Sequence, residues 1–123
     1  MSKTIFKIAL TVLFSIIYNF SIAQKTLINT DYYKSYKFAQ ELFDKSKFSS
    51  AQTYFKDVIN SINNPQDEIR INAEYYFAVC ALNLYHQSVE TLLTRFVLDH
   101  PDHPKSKNVF LQLARHYYRT RKF

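Results

Sequence analysis

The amino-acid sequence predicts an all-α fold, and three observations lead to this prediction. The chain of 123 residues contains no glycine and only three prolines. Because tight turns with positive φ angles usually require glycine, its absence disfavours a β fold built from hairpins. Apolar residues recur at helical spacings through most of the chain, and short polar segments separate these stretches. Hydrophobic residues make up 47% of the sequence, which is enough for the core of one small domain.

The N-terminal segment differs from the rest of the chain. Two lysines precede an apolar run over residues 8–20, and the small residues Ser21 and Ala23 follow it. This order predicts a secretory signal peptide over residues 1–23, with cleavage after Ala23 and a mature chain that begins at Gln24. The alternative is an uncleaved membrane anchor, although the run is shorter than the roughly 20 apolar residues of a membrane-spanning helix.

The predicted cleavage site also suggests where the protein acts. Its alanine-glutamine junction resembles the signal peptides of envelope proteins from Gram-negative bacteria, so we expect export to the periplasm or the outer-membrane periphery. Contact with a membrane is expected only through the N-terminal segment, if that segment is not cleaved. Cys80 is the one cysteine and could form an intermolecular disulfide in an exported protein, but its apolar helical surroundings predict a buried side chain.

Five helices are predicted after the N-terminal segment. Their approximate bounds are 30–46, 49–63, 66–84, 89–100 and 107–121. Thr30 or Asp31 is expected to cap the first helix, and Ser49 with Gln52 forms a capping-box pattern at the start of the second. Pro65 and the acidic residues that follow it suit the first turn of the third helix.

Small and aromatic residues recur at matching positions along these helices. Ala39, Ala78 and Ala114 stand 39 and 36 residues apart, each among large apolar residues. Phe48 follows Ala39 by nine residues, and Phe123 follows Ala114 by the same interval. Small residues let neighbouring helices approach closely, and aromatic residues fill the space between helix pairs. Because each pair leaves one apolar face for the next pair to cover, the pattern predicts consecutive helix pairs that stack.

These spacings resemble the tetratricopeptide repeat (TPR) family, whose motif also places alanine and phenylalanine in its second helix, as Ala51 and Phe55 stand here. The resemblance implies a TPR-like α-solenoid of antiparallel helix pairs, about two and a half repeats long, over residues 24–123. The repeats would span 32–65, 66–102 and, incompletely, 103–123. The second repeat departs from the motif, because Val89 stands where alanine is usual and its turn is one residue short.

The same resemblance implies a concave groove lined by the first helix of each pair. The expected groove residues are Tyr36, Gln40, Phe43, Tyr75, Val79, Asn83, Arg115, Tyr118 and Arg119. Exposed aromatic and arginine side chains are typical of protein-binding hot spots, although the aromatic residues could equally pack between helices. A protein or peptide partner is expected for this groove.

The last predicted helix has no successor to pack against in this sequence. Its apolar residues Phe110, Leu113 and Tyr117 would then be covered on one side only. Three interpretations remain open: the chain is the N-terminal part of a longer repeat array, it comes from a truncated reading frame, or it self-associates through this helix.

The C-terminal part of the chain is basic. The formal net charge is +6, and it would fall to +4 on removal of the two lysines of the signal peptide. From Lys105 onwards there are basic residues and no acidic ones, and Arg115 and Arg119 share one helical face. Nucleic acid is not expected as a partner of an exported protein. Acidic peptide segments and anionic lipid head groups are candidate targets, and a solvated face near a helix C-terminus is the alternative.

Neither catalysis nor the binding of a cofactor or metal is predicted. The sequence lacks a glycine-rich phosphate loop, a nucleophile elbow and a helical pair of metal-binding histidines. His100 and His103 flank a proline-rich turn with only Asp102 nearby, so we expect them to be solvent-exposed loop residues.

The predicted function is a non-enzymatic scaffold for protein–protein interaction in the bacterial cell envelope. The resemblance extends by analogy to TPR proteins of outer-membrane assembly or cell division. The alternative is the N-terminal fragment of a larger TPR protein of an export or cell-surface machinery.

Overall fold

The computed structural model describes the backbone of residues 2–121 and the side chains of residues 2–14 and 31–121. Within that range the chain is all-α, as predicted, and contains no β-strand. Its helices are α1 (Ser2–Asp44), α2 (Phe48–Ser61), α3 (Glu68–Asn83), α4 (Val89–Asp99) and α5 (Pro104–Thr120). Phe123 and the side chains around the predicted cleavage site lie outside the described residues.

The chain divides into two compact units, Met1–Asp31 and Tyr32–Phe123. The predicted signal peptide lies within the first unit, and its cleavage stays a prediction. The described part of the chain has no helix whose length and apolar character would suffice to cross a bilayer. The expected cap at Thr30 or Asp31 is wrong, because α1 already begins at Ser2. Residues 24–30 contain no proline or glycine that would interrupt the helix there.

In the second unit, the C-terminal part of α1 forms an antiparallel pair with α2. Aromatic rings meet along the pair, with centroid distances of 5.4 Å for Phe43–Phe48, 4.9 Å for Phe38–Tyr54 and 6.0 Å for Tyr36–Phe55. As the residue number falls along α1, the partner's number rises along α2, which is the pattern of antiparallel helices. Ala39 and Ala51 are fully buried in the core cluster that these two helices share.

The start of α2 differs from the predicted capping box. The helix begins at Phe48, one residue before Ser49, and Lys47 is its N-cap without a side-chain hydrogen bond. Gln52 does not fold back onto the helix start, because its Nε2 donates instead to the backbone carbonyl of Phe77 on α3, at 3.3 Å. A tertiary contact has therefore replaced the local one that the sequence pattern suggested.

The remaining helices alternate in direction. Phe55 on α2 stacks on Tyr76 of α3 with centroids 5.4 Å apart, and α3 and α4 meet where Tyr75 lies 5.6 Å from Phe96. Because each successive pair is antiparallel, α3 and α5 run in the same direction. Two polar contacts agree with this direction, because the residue numbers rise together along α3 and along α5 with its N-cap. Glu68 Oε1 lies 3.2 Å from His103 Nε2, and the Tyr75 hydroxyl lies 3.5 Å from Gln112 Nε2.

Three of the residues that the structure describes adopt positive φ although none is glycine, namely Ser46 (59°), Tyr85 (58°) and Arg121 (51°). Each lies just after an odd-numbered helix and seven residues after Ala39, Ala78 or Ala114 respectively. At Ser46 and at Tyr85, the N–H groups of that residue and of the next residue donate hydrogen bonds to carbonyls in the last turn of the preceding helix. This is the Schellman arrangement. Without glycine in the sequence, these turns are made by a serine, a tyrosine and an arginine.

An acidic residue caps the third helix, as its acidic start suggested, but Pro65 does not lie in its first turn. Asp67 is the N-cap of α3, and its carboxylate accepts hydrogen bonds from the N–H groups of Ile69 and Arg70. Pro65 lies before the helix, in the preceding turn. The last helix begins at Pro104, three residues earlier than predicted, because His103 caps it and proline occupies its first position.

The expectation that His100 and His103 are solvent-exposed is wrong. His100 is only 8% exposed, and its Nε2 lies 2.8 Å from Glu74 Oε2 on α3. His103 Nδ1 accepts the Lys105 N–H, so its Nε2 carries the hydrogen that faces Glu68, and this hydrogen bond lowers the pKa of Glu68. Both rings are largely shielded from solvent because the carboxylates of Glu74 and Glu68 on α3 contact them at the α4–α5 turn.

One face of α5 is left uncovered within the described residues. Val109 is fully buried, whereas Phe110 is 67% exposed and Ala114 is also exposed. Ala39 and Ala78, which occupy the matching positions on α1 and α3, are fully buried or nearly so. The burial pattern agrees with the expectation that the last helix is covered on one side only.

Replacing Ala51 by leucine is expected to lower the free energy of unfolding by about 1–3 kcal/mol, because the added carbons must enter a filled space. Ala51 has no exposed surface. Ser50→Leu is the matched control, since it adds the same side chain at the neighbouring exposed position, and it should change stability by less than about 0.5 kcal/mol. Urea denaturation of the full chain compares the two variants. Equal losses would contradict the close approach of α1 and α2.

Candidate functional site

One candidate site is a cavity of about 550 Å³ that we call the α3–α5 cavity. Its lining comes from α1, the α1–α2 turn, the first residue of α2, and above all from α3 and α5. No residue of α4 lines it. Six of the nine residues expected in the groove line this cavity: Phe43, Tyr75, Val79, Asn83, Arg115 and Arg119. Its volume falls in the range of sites that bind small ligands or single side chains of a partner.

The wall that α5 contributes to the cavity is cationic. Lys105, Arg115 and Arg119 all line it, whereas Asp44 is the one acidic side chain among the described lining residues. None of these three cations forms an ion pair within the described part of the chain. A ligand with negative charge would therefore meet cations that form no ion pair within the described residues.

The floor of the cavity is aromatic. The Phe43 ring lies 5.1 Å from that of Tyr76 and 5.4 Å from that of Phe48, both in edge-to-face arrangements. Lys105 Nζ lies over two tyrosines, 4.8 Å from the centroid of Tyr76 and 5.2 Å from that of Tyr75. Aromatic edges and a cation thus contact one another in the floor of the cavity.

Tyr75 connects the two walls of the cavity. Its hydroxyl accepts a hydrogen bond from Gln112 of α5, and its ring lies 5.4 Å from Tyr76. Burial raises the pKa of the Tyr75 hydroxyl, and the hydrogen bond from Gln112 and the nearby charge of Arg115 offset part of that rise. Tyr75 is therefore a neutral, largely buried group at physiological pH.

Three of the expected groove residues do not line the cavity. Tyr36 is buried in the core against Phe55, and Gln40 donates to its hydroxyl at 3.0 Å. Tyr118 is not among the lining residues and is 76% exposed. Tyr36 faces inward because α2 packs over it, which the repeat pattern alone could not distinguish from a groove position.

Sequence reasoning missed several lining residues, of which Lys105, Asn108 and Gln112 matter most. With Arg115 and Arg119 they form one stripe along α5 at spacings of three and four residues. The helical spacing was a usable signal. It was overlooked because the helix was predicted to begin after Lys105, which left that lysine in a loop.

A second cavity, of about 320 Å³, lies between α3 and α4 and differs in its charge. Arg70 and Glu74 both line it, and they form an ion pair at 3.1 Å. Glu74 also contacts His100. With Arg95 and Asp99, the lining holds two cations and two carboxylates, so this cavity has less excess charge to offer an ionic ligand than the α3–α5 cavity.

The candidates for reactive chemistry are few among the described residues. Cys80 is fully buried, as predicted, and burial raises the pKa of its thiol to about 12. Its thiolate is therefore scarce at neutral pH. Within the range that the structure describes, no group of three or more histidine, cysteine or acidic side chains converges to hold a metal ion.

Comparison of the chain with protein-family models, with curated proteins and with solved structures gave no significant match.

Proposed function

We propose that this protein is a non-enzymatic interaction module of TPR-like architecture that binds a segment of a partner protein in the α3–α5 cavity. The single observation that carries the proposal is the lining of this cavity. It combines aromatic side chains with cations that have no ion-pair partner among the described residues. Aromatic and arginine side chains in a concave surface are the usual composition of protein-binding hot spots.

Three features of the second unit support the TPR-like part of the proposal. Consecutive helices are antiparallel, and the odd-numbered helices share the cavity while α4 contributes nothing to it. In each of α1, α3 and α5, the residue with positive φ follows the small alanine by the same seven positions. A repeated unit with one small packing residue and one fixed helix end is what a helical solenoid is built from.

The cellular setting of the proposal rests on the N-terminal segment. Its lysines, apolar run and alanine-glutamine junction support export, which would make this protein a scaffold of the cell envelope of a Gram-negative bacterium. A protein that acts there by binding needs a stable concave surface and no catalytic group, and the second unit provides such a surface.

Selection of peptides from a random display library against the full chain tests the binding function. Enriched peptides should cross-link to a photoreactive amino acid that replaces Asn108, which lines the cavity. They should not cross-link to the same amino acid at Lys107, an exposed position on the same helix that lies outside the cavity. Cross-linking at both positions, or the absence of any enriched peptide, would contradict the proposed function.

A further inference from the structure

Resting on the proposed function, we infer that the α3–α5 cavity is specific for an extended acidic segment of a partner protein, with an apolar side chain between its carboxylates. The first support is the imbalance of charge. Lys105, Arg115 and Arg119 face the cavity, and Asp44 alone opposes them among the described lining residues. Complementary charges across an interface favour the matching partner and penalise a partner of like charge.

The second support is the spacing of the cations along α5. Lys105 and Arg115 are ten residues apart, which corresponds to about 15 Å at the helical rise of ~1.5 Å per residue. An extended chain advances ~3.3 Å per residue, so its carboxylates would have to stand about four or five residues apart to reach both cations. Arg119 lies one helical turn beyond Arg115 and extends the cationic wall to a third position.

The third support is the apolar part of the lining. The half-buried Phe43 and Phe48 rings line the cavity on the α1–α2 side, and Val79 and Leu82 of α3, which are almost fully buried, also line it. An aliphatic or aromatic side chain of the ligand would be removed from water when it enters this part of the cavity. The carboxylates on either side of it would remain within reach of α5. Burial of such a side chain supplies affinity that charge alone does not.

The geometry argues against the two other anionic partners. Proteins that bind single-stranded nucleic acid present exposed aromatic faces on which bases stack. Here Tyr75 is buried, and Tyr76 is covered by Phe55 on one side and by Lys105. Arg115 and Arg119 are exposed, so a planar head-group surface could reach them, but it would leave the aromatic and apolar lining of the cavity uncovered.

Fluorescence anisotropy with the full chain and a designed probe tests this inference. The probe is a labelled ten-residue peptide with two glutamate pairs four residues apart that flank a leucine–phenylalanine centre, and its control carries glutamine in place of every glutamate. We expect the glutamate peptide to bind at least about tenfold more tightly than the glutamine peptide, as charge-assisted hydrogen bonds require. Arg115→Glu and Arg119→Glu should each weaken binding of the glutamate peptide about tenfold or more.

Lys107→Glu is the matched control, because it reverses a charge on the same helix outside the cavity. It should weaken binding by less than about twofold, and circular dichroism should show equal helix content in all three variants. Equal binding of the glutamate and glutamine peptides, or an equal loss with Lys107→Glu, would overturn the inference.

Two more outcomes separate this inference from the proposed function. Tighter binding of a twelve-nucleotide single-stranded DNA or of phosphatidylglycerol vesicles than of the glutamate peptide, lost in the arginine variants, overturns the acidic-peptide assignment. If selected peptides without acidic residues cross-link at position 108, the proposed function stands and the acidic specificity is wrong. If no peptide of either kind binds, both are wrong.

Discussion

Replacing Phe55 by alanine is expected to lower the free energy of unfolding by about 3–5 kcal/mol, because a buried aromatic ring leaves a cavity that its neighbours cannot fill. Phe55 has no exposed surface. Its ring stacks on Tyr76 at 5.4 Å and meets the edge of Tyr36 at 6.0 Å, so it joins α2 to both α3 and α1. Removing it loosens three helices at once.

Tyr54→Ala is the matched control for this prediction. Tyr54 is the preceding residue of the same helix, it is partly exposed, and its main ring contact is with the exposed Phe38 at 4.9 Å. We expect it to lower stability by about 1 kcal/mol. Urea denaturation of the full chain, followed by far-ultraviolet circular dichroism, measures both losses. A loss at Phe55 no greater than that at Tyr54 would show that α2 does not pack between α1 and α3.

Alkaline pH is expected to destabilise the protein, because two buried groups ionise less readily in the folded chain than in the unfolded one. Burial raises the pKa of the Cys80 thiol to about 12, and burial, together with the nearby Tyr76 and Glu68, raises that of the Tyr36 hydroxyl to about 12. Both groups ionise more readily in the unfolded chain, near pH 9 and pH 10 respectively. Their contribution to stability is therefore fully present below about pH 9 and is lost as the pH rises towards 12.

The expected loss between pH 8 and pH 11 is on the order of 3–4 kcal/mol, of which Cys80 supplies the larger part. Cys80→Ala removes that part, because alanine does not titrate. Urea denaturation of both proteins at several pH values should give a steeper decline for the native sequence than for the variant. Parallel declines would mean that the thiol is exposed to solvent or ionises freely in the folded state.

Local sequence patterns were sufficient to predict the positions of the helices that follow α1. The second, third and fourth helices lie within a few residues of their predicted bounds, because apolar periodicity and the polar breaks at residues 63–67 and 85–88 are local properties. Local patterns were not sufficient for the helix ends. Gln52 contacts α3 instead of capping its own helix, and the positive φ at Tyr85 belongs to a residue type that rarely adopts it.

The candidate site was predicted in part for the same reason. The helical stripe that includes Arg115 and Arg119 was visible in the sequence, and the structure brings both to the cavity. Tyr36 and Phe43 lie on the same predicted helix, yet one is in the core and the other lines the cavity. Which of the two side chains lines the cavity depends on how α2 and α3 pack against that helix. The spacing of residues along the sequence does not predict this packing.

The sequence by itself determined that this protein is helical, where its helices after α1 lie, and that its C-terminal helix is cationic, because composition and spacing act within a few turns of chain. Only the tertiary structure decided that Lys105, Arg115 and Arg119 share a cavity with aromatic residues of α1 and α3. It also decided that His100 is buried against Glu74. These arrangements arise from contacts between residues far apart in the chain, and the free energy of such contacts depends on helix packing that no local pattern specifies.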